Sequence, residues 1–394
     1  MKELYEKFLN LCYYLRLIPF RIKLKLVGKD KFGDSVYQCK VVPVSRLHAT
    51  INSSLFAVYL LQSIFQIQGA YWGKIILHPS ILFLMWEKVY ECFMLALFWR
   101  ATFWNRKIQP VLCKILEYQP KRKTSQEENL IRSSVVTILL LIFGVIIPVA
   151  IELAEIFNVD GPDRADNYTA NFRLSSAQVL FDLLLVRNHT HISEEDFTPT
   201  YFTISVVYMI LRTWGRVLLG MANMLSLTTA ITCLFEVKQT YNYSVTTNFT
   251  NKMIIEKYLG LSEFVKCMNK VNRSILLCLI SASVPLMVLR VIHAWDTSQV
   301  FLKASFFVQL VQLVGILFIS AEVGDKGTLL KTKMLELCKD EELKCWSDKI
   351  FRSELDIEAD RFVNISYSFV GSLFSAYLAY AIMLLQINPC HSWN

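Results

Sequence analysis

Between Ser133 and Ile151 the chain carries no charge, reading SSVVTILLLIFGVIIPVAI. A helix rises 1.5 Å per residue, so about twenty such residues cross a hydrocarbon core roughly 30 Å thick. Comparable apolar segments recur. We read spans near Leu47–Gly69, Ser80–Ala101, Ser134–Phe157, Pro199–Thr228 (with a helical extension toward Phe235), Ser274–Ala294, Lys303–Ala321 and Phe362–Ile387. Hydrophobic residues make up 54% of the 394 and charged residues 19%, more apolar surface than one aqueous core hides. A backbone in lipid must satisfy its own hydrogen bonds, which leaves helices as the economical solution. The expected fold class is an all-α membrane protein of seven transmembrane helices. Ala177–Val186 is apolar but too short to span and contains Asp182; it reads as a packed or re-entrant helix.

Loop charge sets the expected orientation. The segment after the second span carries Arg106, Lys107, Lys114, Lys121, Arg122, Lys123 and Arg132. The segment after the third carries Asp160, Asp163, Asp166, Glu194, Glu195 and Asp196, and the one after the fourth is basic again, from Lys238 to Arg273. Basic loops stay in the cytosol, so the N-terminus is expected inside and, after seven spans, the C-terminus outside. The acidic loop holds the glycosylation sequons of Asn167 and Asn188, which suits an outer face. Sequons at Asn242, Asn248 and Asn272 then fall on the cytosolic side and go unused. Of the ten cysteines, only Cys390 falls in an expected outer segment, so no structural disulfide is expected.

Four regions follow. Residues 1–45 are basic, lack a signal-peptide pattern, and read as a cytosolic N-terminal tail with room for a short amphipathic helix. Residues 46–322 hold helices one to six and the ligand pocket. Residues 323–361 carry dense charge of both signs, with apolar residues at Leu335, Leu337, Leu343, Trp346, Ile350, Leu355 and Ile357. They read as a cytosolic helical linker, either a solvated hairpin or a subunit-packing platform. Residues 362–394 form the seventh helix and a short outer tail. The net charge of +8 sits in tail and loops, as a topology signal and not as a nucleic-acid surface.

No Walker loop, GxSxG, HExxH or paired CxxC motif occurs, so no enzyme, metal or cofactor is expected. His189 and His191 beside Glu194 and Glu195 read as polar loop surface. The last helix is more informative: GSLFSAYLAYAIMLLQIN. Gly371, Ser372, Ser375, Ala376 and Ala379 permit close helix approach. Tyr380 and Gln386 put polar groups into an oily helix, where each needs a partner or water. Met383 and Leu384 are suited to closing a pore by dewetting. On these residues alone, an ordinary buried helix with satisfied polar groups is the favoured reading, since small-residue faces are common at any helix contact.

The same segment resembles the insect gustatory receptor family. That family carries Thr-Tyr, five mostly hydrophobic residues and Gln-Phe in its last helix. Here Tyr380 and Gln386 keep the spacing, while Ala379 and Ile387 stand in place of Thr and Phe. The residue match covers about the last 25 positions; architecture alone extends it to the whole chain. The resemblance implies a homo- or hetero-tetrameric, ligand-gated cation channel in the plasma membrane of chemosensory neurons. It implies a pore lined by the seventh helix (Tyr380, Met383, Leu384, Gln386) and opened by a small-molecule tastant.

Pocket candidates are polar and aromatic residues inside the spans, where lipid makes them expensive. They are Trp86, Glu87, Glu152, Tyr208, Arg212, Trp295, Gln309 and Gln312. A glutamate of the second or third span pairing with Arg212 or Arg216 is expected to be structural before it is ligand-contacting. An odorant receptor-type subunit is the alternative. A G-protein-coupled receptor fits worse: no Asp/Glu-Arg-Tyr follows the third span, and the charge bias is inverted. A transporter fits less well again, since no internal repeat is visible.

Overall fold

The computed structural model describes residues 2–15, 20–29, 35–43, 141–157, 199–245, 250–296, 300–338, 341–359 and 363–387, with positions 47, 50, 51, 53–61, 64, 89, 90, 92–94, 96, 97, 111, 114, 138 and 139. The elements are α1 (Lys2–Tyr14), β1 (Phe20–Lys29), β2 (Ser35–Pro43), a π-helical turn (Ile142–Ile146) running into α2 (Ile147–Phe157), α3 (Pro199–Val245), α4 (Asn251–Asp296), α5 (Val300–Leu337), a 3-10 turn (Glu341–Trp346), α6 (Ser347–Phe351) and α7 (Tyr367–Ile387). By length and apolar composition, Met209–Val245 and Phe306–Leu337 are able to cross a membrane. Ile142–Ile151 and Tyr367–Met383 are shorter apolar helices.

α3, α4 and α5 pack together as the centre of the molecule. Their shared interior includes Met221, Val265, Met268, Leu317, Leu330 and Met334, all with no exposed surface. These helices run far beyond the apolar spans read from the sequence. The stretch from Lys238 to Arg273, expected as a basic loop, is almost wholly helical. Ile255, Tyr258, Leu261, Val265, Met268 and Asn272 recur every three or four residues and face inward. The lysines occupy the other faces, so the segment is an amphipathic helix pair whose charge hid its period. Asn272 is 2% exposed and accepts a 2.8 Å hydrogen bond from Ser226, so its sequon is closed to glycosylation.

The N-terminal region departs from the expected tail. α1 buries Phe8, Leu9 and Cys12, and the Trp214 indole of α3 donates to the Leu15 carbonyl at 3.3 Å. β1 and β2 form an antiparallel hairpin with Leu24 opposite Cys39 and a bulge between Leu26 and Gly28. The alternation in FRIKLKL is the period-two signature of a strand. Within a lysine-rich segment it passed as simple basicity. Trp214 also meets the Tyr59 ring edge-on at 6.4 Å. Gly215 leaves room for that ring, because a Cβ there would overlap the Cε2–Cζ edge of Tyr59.

The linker docks by backbone capture. Residues 353–359 and 363–366 form no regular element and are closed by an isolated antiparallel bridge between Glu358 and Asn364, with the Ala359 amide donating to the Val363 carbonyl at 2.8 Å and the Ile365 amide to the Ile357 carbonyl at 3.0 Å. Asn269 of α4 donates to the Asp356 carbonyl at 2.8 Å and accepts from the Glu358 amide at 3.4 Å. Lys331 of α5 donates to the Ser353 carbonyl at 2.8 Å, and Tyr258 of α4 shares a 2.7 Å bond with the Ser353 hydroxyl. Leu355, Ile357, Ala359 and Ile365 are buried beneath. α5 approaches closely through Gly327, where a Cβ would lie 2.8 Å from the Leu355 Cβ. α5 continues as helix to Leu337, and the 3-10 turn and the short α6 follow it before the chain enters the bridged segment. Each of the eight cysteines among the described residues has a free thiol.

Two outcomes follow. Gly327→Ala overpacks the α5–linker contact, and we expect a loss of about 1–3 kcal/mol, read as a lower melting temperature of the solubilised chain. Asp356 is half-buried beside Glu354, and burial first, then that like charge, raises its pKa despite Lys331. A carboxyl raised in the folded state contributes stability that is complete below its unfolded pKa and is lost as pH rises through the folded one. Asp356→Asn is therefore expected to stabilise the chain at neutral pH and flatten the slope of melting temperature against pH on the acid side.

Candidate functional site

Two regions carry the polar groups that an apolar bundle has least reason to hold. The first is where the π-helical turn meets α3 and α5. A π turn displaces a backbone carbonyl from the regular ladder, and such turns gather at functional positions. Here the Phe143 carbonyl accepts from the Gln312 amide of α5 at 3.3 Å. The Gln312 oxygen accepts from Asn223 of α3 at 3.4 Å. Gly220 of α3 makes the approach possible, since a Cβ there would sit 2.7 Å from the Gly144 carbonyl oxygen. Met221 and Met224 pack over Gly144, with adaptable side chains. One turn along α3, Ser226 reaches Asn272 of α4. Buried polar atoms with no hydrogen-bond partner among the described residues include Asn223 Oδ1, Asn272 Nδ2, Thr229 Oγ1 and Ser320 Oγ. Unsatisfied capacity of this kind suits water or a small polar ligand.

The second region is α7. Val370 is buried, and Leu373, Phe374, Tyr377 and Ala381 are partly buried, forming one stripe at helical spacing against α4 and α5. The opposite side, with Gly371, Ser372, Ser375, Ala376, Ala379, Tyr380 and Met383, is exposed. A Cβ on Gly371 would meet nothing within 4 Å. This face is made mostly of small residues, with Tyr380 and Met383 among them, and the described residues leave it uncovered. The foot of α7 is held by charge: the Tyr367 hydroxyl donates to Glu322 of α5 at 2.7 Å. The other Glu322 oxygen lies 3.6 Å from Lys238 of α3 and 4.0 Å from Lys326. Phe318 of α5 meets Tyr367 edge-on at 6.3 Å and Phe374 at 6.4 Å. One carboxylate thus ties three long helices together where α7 begins.

Of the residues singled out from the sequence, Tyr380 and Met383 share the exposed side of α7. Gln312 is buried in the π-turn junction, and Gln309 is half-buried one turn earlier. Trp86, Glu87, Asn167 and Asn188 lie outside the described residues. So do the side chains of Glu152, Tyr208, Arg212, Trp295, Leu384 and Gln386, whose backbones fall in α2, α3, α4 and α7. Asn223, Ser226 and Asn272 were missed, although the rule that selected Gln309 and Gln312, a polar residue inside an apolar helix, applies to Asn223 and Ser226 as well. Tyr367, Glu322 and Lys238 were missed because their contact joins positions 45 and 84 residues apart along the chain. Among the described residues no cluster of His, Cys, Asp or Glu is arranged to hold a metal.

Tyr367→Phe removes the hydroxyl and leaves the ring. At this partly exposed foot we expect a loss of about 1 kcal/mol or less, read as a small drop in the melting temperature of the solubilised chain. A Glu322→Gln variant should shift it in the same direction.

No protein-family model and no curated protein matches the sequence. Solved structures do. The insect olfactory receptor OR5 from Machilis hrabei in complex with eugenol aligns with a TM-score of 0.62 and 15% identity, over 98% of this chain and 99% of that one. Another structure of OR5 from Machilis hrabei aligns with a TM-score of 0.60 and 13% identity, over 97% of this chain and 100% of that one. Over nearly its whole length the chain has the largely helical fold of these insect olfactory receptor structures.

Proposed function

We propose that the chain is a chemosensory receptor subunit acting as a ligand-gated, non-selective cation channel, opened by a small tastant. The observation that carries this reading is the uncovered side of α7. A helix that packs one stripe inward and leaves Gly371, Ser375, Ala379, Tyr380 and Met383 facing out needs lipid, a pore or another subunit there. In a tetramer of such subunits, alike or related, four of these faces would surround one pore, with Leu384 and Gln386 on the following turn. The polar junction at Gln312, Asn223 and Phe143 is the favoured ligand region, and Trp86, Glu87, Glu152, Tyr208, Arg212, Trp295 and Gln309 are further candidates. Ligand binding would shift α7 toward its open position only by its differential affinity for the two states.

The proposed topology has a cytosolic N-terminus and an extracellular C-terminus in the plasma membrane of a chemosensory neuron. Residues 46–322 would bind ligand, 323–361 would pack subunits in the cytosol, and 362–394 would form the pore. An odorant receptor-type channel is the second reading, favoured by the fold neighbours. The Tyr380 and Gln386 spacing favours the gustatory type.

Cells expressing this chain, alone and without added G protein, should pass current to a member of a panel of sugars, bitter compounds, amino acids and volatile phenols. Tyr380→Ala and Gln386→Ala should change ion selectivity or abolish the current. Currents and selectivity untouched by both substitutions would sink the pore assignment. Endoglycosidase treatment should raise electrophoretic mobility, and the shift should vanish in the Asn167→Gln/Asn188→Gln variant.

A further inference from the structure

A cavity of ≈ 550 Å³ opens beside the N-terminal half of α4, and its lining shares no residue with the Gln312 junction. One wall is a stripe of α4: Leu259, Ser262, Glu263, Lys266, Cys267 and Lys270. The spacing of three and four residues puts them on one side of the helix. Lys349 of α6, with Arg352 and Ser353 just beyond it, forms the second wall; Val111 and Lys114 form the third. Five cationic side chains therefore converge on a space that holds one carboxylate. That carboxylate, Glu263, lies 3.6 Å from Lys114, and both are largely exposed. Lys266 and Lys270 stand at i and i+4, a like-charge spacing that weakens a helix when nothing sits between them. The cations act on one point: burial pushes the Cys267 thiol up, and the fields of Lys270, Lys114 and Lys266 oppose it.

The walls are held in place. Ser353 is fixed by the Tyr258 hydroxyl and by Lys331, and the Ser262 hydroxyl donates to the Glu354 carbonyl at 3.4 Å. The site is thus carried by the α4–linker clamp, the same element that sets the start of α7. Its size falls within the range of small-molecule pockets of about 300–1,000 Å³. Several lysines with one arginine suit a ligand bearing more than one phosphate, the arginine supplying paired donors.

We propose that this cavity binds a small polyphosphorylated anion, an inositol phosphate either free or as a lipid headgroup, and that its occupancy bears on the linker leading to α7. The binding site stands apart from the channel reading; its effect on current rests on that reading.

The full chain in phosphatidylcholine nanodiscs is titrated with inositol trisphosphate, and separately prepared in nanodiscs containing phosphatidylinositol bisphosphate. Thermal stabilisation and calorimetric heat are read. We expect saturable binding that weakens with added salt and falls at least about tenfold in Lys266→Gln/Lys270→Gln. Lys344→Gln, an exposed change on the neighbouring turn and outside the cavity, should leave it unchanged. Binding of the soluble probe alone assigns a free anion, and stabilisation by the lipid alone assigns a headgroup. No binding to a chain that still melts cooperatively, or equal loss in Lys344→Gln, would overturn the proposal in favour of a solvated basic face. Binding without any change in ligand-evoked current would retain the site and overturn its effect on α7. A chain that binds the anion yet passes no current in any condition would count against the channel reading alone.

Discussion

The side-chain amide of Asn269 holds the backbone of the linker on both sides, donating to the Asp356 carbonyl and accepting from the Glu358 amide. The segment closes on itself through two backbone bonds, Ala359 to the Val363 carbonyl and Ile365 to the Ile357 carbonyl, and its remaining polar groups turn to neighbouring elements for partners. α4 holds it through Asn269 and Tyr258, and α5 through Lys331 and the bare surface of Gly327. Once the segment is captured, Ile365 is buried and α7 starts at Tyr367. The start of the last helix is therefore set by the docked segment before it together with the helix's own contacts to α4 and α5.

This arrangement gives the foot of α7 a small set of polar ties. Glu322 receives the Tyr367 hydroxyl and sits near Lys238 and Lys326. Each tie is weak at a wet surface, where exposed pairs contribute roughly 0–1 kcal/mol. Weak ties of this kind fit the proposed gating of α7, in which a modest differential affinity elsewhere shifts the position of the helix. Higher up, α7 meets α4 and α5 along one stripe only. The contrast with the buried interior of α3, α4 and α5 separates a stable frame from a loosely held helix.

The polar junction at the π-helical turn belongs to the frame. Gln312 bridges α5, the turn and α3 through one side chain, and the nearby buried atoms Asn223 Oδ1 and Asn272 Nδ2 retain unmet capacity. Glycine and methionine around it, Gly144, Gly220, Met221 and Met224, combine close backbone approach with adaptable packing. The lysine-lined cavity borders the linker clamp through Ser353. The two sites are joined through α4, which carries Asn272 toward one and Lys266 toward the other.

The sequence by itself determined the helical class and the apolar composition that calls for lipid. It located most of the apolar helices, marked Tyr380 and Met383 as members of one helix, and selected Gln312 as a polar residue in an oily segment. Those properties are local, written in runs and periods of a few residues. It misjudged the Lys238–Arg273 stretch because lysine content masked a helical period, and the 20–43 hairpin because basicity masked strict alternation. Only the tertiary structure decided the rest. The Gln312–Phe143 contact joins residues 169 apart, the Asn269–Asp356 contact 87, and Trp214–Leu15 199. No local pattern encodes such pairs; they arise when packed helices bring distant polar groups within reach and burial forces each to find a partner.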